Sequence, residues 1–398
     1  MPKLWEKGYD LDSLIEEFTV GEDYLVDMKL IKYDVKASIV HAEMLEKMGY
    51  LERHEFIKIK EALEELLTLV ESGKFCIDPE EEDSHTAIEN FLVQKLGEAG
   101  KKIHTARSRN DQVLTALRLL YKDELKDVCR HLKGLRSVLR NFAKKYGHIK
   151  FAGFTHTRKA MPANFRMWGM ALCDALKDDE IMINLTIRLI DQSPLGTGAG
   201  YGVPIKIDRN YIANRLGFSK VQRNPIYSQN SRAKFDYLIL HCLSQVSYDL
   251  NRFASDIIFF SLPDIGYLII PENLCTGSSI MPQKMNPDPV ELVRAYHSRI
   301  ISKALESALI SMNLISGYHR DMQLLKITVL ETFKDIKDML RVTCRIFEKI
   351  QVNGNKCKES LTEEVMATQE VYRLLMEKGM SFRDAYRVVA EKYGSDRK

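Results

Sequence analysis

At 398 residues and 45% hydrophobic content the chain can bury a large core, and length alone suggests two or three domains. Its formal charge is only +3 and no lysine or arginine run stands out, which excludes the electrostatic footprint of a dedicated nucleic-acid binder. The opening MPKLWEKGYD has no apolar signal core and no later stretch reaches the roughly 18 apolar residues of a membrane helix; the seven cysteines are scattered and never form C-x-x-C, so a chain with no membrane partner in a reducing cytoplasm is expected.

Along the chain, proline placement marks where long helices can run. None falls between Pro79 and Pro162, and none follows Pro289. The acidic stretch Glu82–Thr86, just after Pro79, reads by itself as a solvated loop. From Ser108 to about Tyr146, Val113, Leu117, Leu120, Leu125, Val128, Leu132, Leu135, Leu139 and Phe142 recur mostly in steps of three and four, which predicts an amphipathic helix of unusual length. Ser108 caps it and Asp111 completes the box. The free N–H groups of that terminus suit an anion, and Arg109 and Asn110 add side-chain donors at the same spot.

Gly153–Pro162 precedes another long helix and contains His156, a residue type that on its own is more often a packed or surface residue than a catalyst. The glycines from Gly196 to Gly202 lack one at Tyr201 and lie between Pro194 and Pro204, so they are no dinucleotide fingerprint. Phe235, Ile239, Cys242, Val246, Leu250, Phe253 and Ile257 predict a second long helix with heptad-like steps. The loop Gly277–Glu291 combines hydroxyls (Ser278, Ser279) and donors (Lys284, Asn286), an inventory able to close over an anion. Asp288, Pro289 and Glu291 fit the N-cap, N1 and N3 of a third helix reaching about Met312. Gln323 and Lys326 share one helical face, and the polar segment from Gln351 interrupts the helical pattern.

These elements predict an all-α chain with little strand, divided into an N-terminal helical domain over 1–107, a central long-helix bundle over 108–350 and a short C-terminal helical domain over 351–398. Helices near 40 residues far exceed the mean of about 11 to 12 and expose more apolar stripe than one subunit covers, so an oligomer is expected. The histidines form no HExxH or similar spacing, and neither a metal nor a cofactor is expected.

Residues 277–291, GSSIMPQKMNPDPVE, resemble the signature loop of the fumarase/aspartase superfamily. HTARSRNDQ (His104–Gln112) is similar to the GRSRNDQ motif of the argininosuccinate lyases, with Ala106 in place of glycine. GFTHTRKAMP (Gly153–Pro162) resembles that family's GYTHLQRAQP, with departures at Arg158 and Met161. Tyr318, Gln323 and Lys326 in GYHRDMQLLK reproduce its spacing, and Asp34–His41 and Glu82–Thr86 resemble DIxGSxAH and EDIHT. Asn230-Ser231-Arg232 stands where the family more often has Ser-Asp-Arg.

The resemblance implies reversible cleavage of argininosuccinate to arginine and fumarate, with Ser278 as base, Lys284 and Asn286 on the carboxylate that absorbs negative charge, and His156 paired with Glu291 to help proton transfer. It implies substrate contacts from Ser38, His85, Thr86, Arg109, Asn110, Thr155, Tyr318, Gln323 and Lys326. It also implies three helical domains in a homotetramer with a twenty-helix core and active sites where three subunits meet. Removing a proton beside a carboxylate builds an enediolate-like dianion, and each fixed donor aimed at it contributes about a hundred to a thousandfold. A neutral serine is a weak base, so its alkoxide needs stabilisation that the sequence does not reveal. The alternatives are another superfamily member, an adenylosuccinate lyase or fumarase, or a crystallin-like structural protein on the same fold. The atypical start around Trp5–Asp10 and the short tail after Gly379 are departures at the edges.

Overall fold

The structure, a computed structural model, describes residues 12–394, so the departure at Trp5–Asp10 lies outside the described residues. The chain is all-α, as the residue pattern predicts. Its main helices are α1 (Ile31–Lys47), α2 (Arg53–Glu71), α3 (Ser84–Leu96), α4 (Arg109–Tyr146), α5 (Phe165–Ile190), α6 (Pro225–Phe260), α7 (Asp288–Ile310) and α8 (Leu325–Lys349). Strand is confined, among the described residues, to three two-stranded sheets. The longest pairs β1 (Lys150–Thr155) with β2 (Arg158–Asn164) antiparallel. No helix among the described residues is long and apolar enough to cross a membrane.

The apolar stripes predicted for α4 and α6 are the faces that become buried, from Val113 to Phe142 and from Phe235 to Ile257. Contacts divide the chain into two compact units. One comprises residues up to Val128, Met182–Leu243 and Ile301–Lys334, the other Cys129–Ile181, Ser244–Ile300 and Asp335–Lys398.

The first unit packs α1, α2 and α3 around Ile31, Val35, Leu45, Ile59, Leu63, Leu66, Ile88 and Leu92. In α2 the carboxylates of Glu52 and Glu55 form a reciprocal capping box, so two orphan N–H groups are satisfied at the helix start. In α3 the Asp83 carboxylate accepts the Thr86 N–H at 2.9 Å. Glu82–Thr86 is therefore no solvated loop: all five residues are buried, because the segment leads into a helix start whose N–H groups meet Asp83 and Asp27 and whose acids meet Arg109.

The second unit is held by aromatic packing. Phe142 meets Phe165, Trp168 and Phe347 with ring centroids 5.9, 6.0 and 5.5 Å apart, the edge-to-face separations that aromatic quadrupoles favour. The Trp168 indole N–H donates to Asp256 at 2.9 Å, which satisfies its polar edge. Tyr267 donates to the Ala152 carbonyl, and Ser360 accepts the Ala152 N–H at 2.9 Å, tying β1 into this core.

Candidate active site

The start of α4 is built as its sequence predicts. The Ser108 N–H donates to Asp111 Oδ1 at 2.9 Å, the Ser108 Oγ accepts the Asn110 N–H at 3.3 Å, and the Ser108 carbonyl accepts from Asp111 and Gln112. The preceding Ala106 sits at φ 60°, where a Cβ is strained and glycine is not, which explains why the resembled motif carries glycine there. Asp111 does more than cap. Its Oδ2 accepts the N–H groups of Gly196 and Gly198 at 2.9 and 2.8 Å, so the glycine-rich segment 195–202 is anchored on this helix terminus. At φ 89° a Cβ on Gly196 would be strained and would fall 2.6 Å from Ile207 Cδ1.

Burial pushes the Asp111 carboxyl up to about 6 against the opposing pull of those three N–H donors. A raised folded-state value means that its share of stability is complete below the unfolded value near 3.8 and is lost as pH rises through about 6. Asp111→Asn keeps one acceptor but turns an NH2 toward an N–H donor. Loss of about 1 to 3 kcal/mol is expected from the unsatisfied group, together with flattening of the stability profile near pH 6; denaturant unfolding across that range checks both.

Around this terminus the first unit encloses a cavity of about 410 Å³ lined by Asp23, Asp27, Asp83, His85, His104, Arg107, Ser108, Arg109, Asn110, Val113, Arg232, Tyr318, Arg320, Gln323 and Lys326. It collects residues from the N-terminal segment, α3, α4, α6 and the connection entering α8. Arg109 bridges Glu82 at 3.1 Å and Asp83 at 2.5 Å. The Lys326 ammonium is buried between Asp23 at 2.8 Å and Asp27 at 2.7 Å. Burial alone would lower its pKa; Asp27 and Asp23 outweigh that and hold it above the usual value. Gln323 donates to the Thr19 and Val20 carbonyls at 3.1 and 3.2 Å, and Arg320 donates to Thr19 at 2.6 Å.

His85 is buried against Asp34, which also accepts the Ser84 hydroxyl. Burial works to lower the imidazole pKa, and Asp34, Asp83 and Asp27 together raise it above the ordinary range. Arg107 donates to the Ser38 hydroxyl at 2.8 Å. The cavity thus gathers cationic side chains, some buried and some open to solvent, that meet carboxylates, carbonyls or the Ser38 hydroxyl, a charge-dense lining suited to a zwitterionic, polycarboxylate ligand.

Of the residues singled out in the sequence, His85, Arg109, Asn110, Tyr318, Gln323 and Lys326 line this one cavity. Ser38 and Thr86 do not: Ser38 lies behind it as the acceptor for Arg107, and Thr86 spends its N–H on the α3 cap. Asp23, Asp27 and Arg320 were not singled out, although Arg320 stands inside the quoted GYHRDMQLLK segment and Asp23 and Asp27 are four apart on one helical face.

Thr155, His156, Ser278, Lys284, Asn286 and Glu291 belong to the second unit and are not among the lining residues. His156 and Thr157 are the two central residues of the β1–β2 turn, at φ 52° and 59°, the left-handed pair that a type I′ hairpin demands. A β-branched residue is strained there, and such strain is concentrated at functional positions. Both side chains are exposed.

The 277–286 loop is pinched at its neck by paired Thr276 and Asn286, whose N–H groups exchange with each other's carbonyls at 3.0 and 2.8 Å. The Thr276 hydroxyl donates to Asp288. This corrects the expected cap: α7 starts at Asp288 with the Pro287 carbonyl accepting from Val290 and Glu291, and Asp288 fastens the loop instead of capping the helix. Within the loop, Ser278 Oγ accepts the N–H groups of Met281 at 3.1 Å and Ile280 at 3.4 Å. Lys284 and Glu291 are exposed, and the Asn286 amide donates to the Gly277 carbonyl.

Comparison with known proteins points one way. Residues 8–302 match the family described as Lyase. The chain is 63% identical to the argininosuccinate lyase of Thermotoga neapolitana over 99% of each, and 36% identical to that of Bacteroides fragilis over 97% of this chain and 86% of the relative. Its fold is similar to an EDDS lyase in complex with formate (TM-score 0.79, 20% identity, 96% of this chain and 76% of that one). It is equally similar to a class II fumarase from Schistosoma mansoni (TM-score 0.79, 16% identity, 99% and 95%). At those identities the solved structures speak for the fold alone.

Proposed function

This chain belongs to the argininosuccinate lyase family, and from that premise we propose how it acts. Its reaction is the reversible β-elimination of argininosuccinate to arginine and fumarate, the last step of arginine biosynthesis. The observation that carries the site assignment is the cavity at the α4 terminus, which gathers Arg109, Asn110, Tyr318, Gln323 and Lys326 from distant parts of the chain.

In this reading the side chains of Arg109, Asn110 and Thr155 receive substrate carboxylates, while His85, Tyr318, Gln323 and Lys326 hold the rest of the ligand. Ser38 and Thr86 contribute from behind, through Arg107 and the α3 cap. Ser278 removes the proton from the carbon β to the leaving nitrogen. The electrons of that C–H bond pass through the adjacent carboxylate, where Lys284 and Asn286 receive the charge, and then form the fumarate double bond as the C–N bond breaks. The departing guanidino nitrogen takes a proton with the help of His156 and Glu291. The two backbone N–H groups on Ser278 Oγ supply what a serine base lacks, because donors aimed at an oxygen stabilise its alkoxide.

The domain division at 107 and 350 and a homotetramer form part of this proposal. Ile181, Leu185 and Leu189 on α5 and Ile301, Leu305 and Leu309 on α7 are exposed at steps of four, stripes that neighbouring copies would cover. Neighbouring copies would also bring the 277–286 loop and the His156 turn to each cavity. A light-scattering mass of one 45.9 kDa chain would refute the tetramer. Free cysteines fit a cytoplasmic setting.

The test of function follows fumarate absorbance while purified protein is offered argininosuccinate, adenylosuccinate or malate in turn. Turnover of argininosuccinate is expected; silence with it and turnover of another substrate would overturn the reading.

A further inference from the structure

The connection between α7 and α8 carries Tyr318 and Gln323; its own bonds are a single turn over Arg320–Gln323 and the contact of the His319 imidazole with the Ile315 carbonyl. It contains two left-handed residues, Asn313 at φ 63° and Gly317 at φ 117°. Gly317 is in a region that residues with a Cβ avoid, so the backbone just before Tyr318 has the freedom of a hinge.

One turn of α6 grips it at successive points. Asn230 Oδ1 accepts the Gly317 N–H at 3.0 Å, and its amide donates to the Ser316 hydroxyl at 3.0 Å. Arg232 Nη2 donates to the Met322 carbonyl at 3.0 Å, and its guanidinium lies over the Tyr318 ring, 5.8 Å from the centroid. Ala233 packs on Met322 and Leu325, with Ile310, Leu314 and Tyr318 around them. Arg232 is 3% exposed, its Nε has no hydrogen-bond partner, and it interacts electrostatically with Asp236 one turn on. A cation buried this deeply is costly unless its surroundings use it.

We infer that Asn230 and Arg232 are positioning residues, a clamp on α6 that sets Tyr318 and Gln323 in the cavity and thereby the affinity for the substrate. The clamp fixes the hinge at Gly317 from one side and the Met322 carbonyl from the other, so the short segment between them has one arrangement. Its consequence for catalysis rests on the function proposed above; the clamp itself does not.

The test uses the full chain with Asn230→Leu, Asn230→Asp, Arg232→Gln and Arg232→Lys. Asn230 is exposed, so its variants should fold even if Arg232→Gln does not. Loss of a charge-assisted bond predicts that Arg232→Gln raises KM for argininosuccinate by about ten to a hundredfold with a smaller fall in kcat. Asn230→Leu should act in the same direction and more weakly. Asn230→Asp, which keeps the acceptor for Gly317, should recover most of the wild-type KM, and Arg232→Lys should fall between Gln and wild type. Hydrogen exchange of residues 316–326, measured without substrate, should quicken in Asn230→Leu and Arg232→Gln.

Wild-type exchange in both of those variants would overturn the clamp, as would a fall in kcat with KM held. Failure of the wild-type chain to turn over argininosuccinate would instead refute the proposed function and leave the exchange result to decide the clamp.

Discussion

Ser278→Ala is expected to abolish measurable elimination while leaving substrate binding nearly intact. The hydroxyl is half-buried in the 277–286 loop and does not line the cavity around Arg109 and Lys326, so on the proposed mechanism its loss removes a base and no cavity contact. General-base assistance is typically worth about a hundred to ten thousandfold. Two donors already directed at the Oγ place this residue toward the upper end, because their stabilisation of an alkoxide is lost along with it. Single-turnover fumarate absorbance gives the rate and isothermal titration gives the affinity. A near-normal rate would remove Ser278 from the base role; a rate loss matched by a loss of binding would make it a ligand.

Lys326→Met should cost both stability and binding, and its pH signature separates the causes. The ammonium is the counter-charge for Asp23 and Asp27, and removing one partner of a buried ion cluster typically costs about 3 to 5 kcal/mol, because the remaining charge stays buried. Burial already pushes the Asp23 carboxyl above its usual value even with Lys326 beside it. Without the lysine it should rise further. A group whose folded-state pKa is raised gives its stability below the unfolded value and loses it as pH rises through the folded one. The variant should therefore be relatively more stable at pH 5 than at pH 8, when each is compared with wild type at the same pH. Thermal unfolding at both values checks this. A uniform loss would mean that packing, and not the carboxylates, dominates.

The residues that sequence and structure agree on share a property: their roles are local. The stripes of α4 and α6 are legible because helical period alone decides which face is apolar. Ser108 and Asp111 are legible because capping involves neighbours three residues apart. The motif around Arg109 and the 277–291 loop are recognisable because their residues are contiguous.

Glu82–Thr86 looks solvated in sequence because nothing nearby neutralises it; Arg109, from another helix, does so in space. The His156 turn lacks the Asn-Gly signal of a tight hairpin, and pairing of β1 with β2 imposes the left-handed geometry on residues that do not favour it. Asp288 has the spacing of a cap, but a threonine twelve residues earlier takes its carboxylate.

The helical class, the long stripes, the Ser108 and Asp111 cap and, through the motifs, the family and reaction are all readable from the residues in order. Only the tertiary structure decided that Lys326 belongs to Asp23 and Asp27, that Ser38 acts behind Arg107, and that α6 holds the Tyr318 segment. Periodicity and capping are set by backbone geometry within a few residues. Charge pairing and cavity lining depend on which distant side chains packing brings within a few ångströms, and no local pattern encodes that.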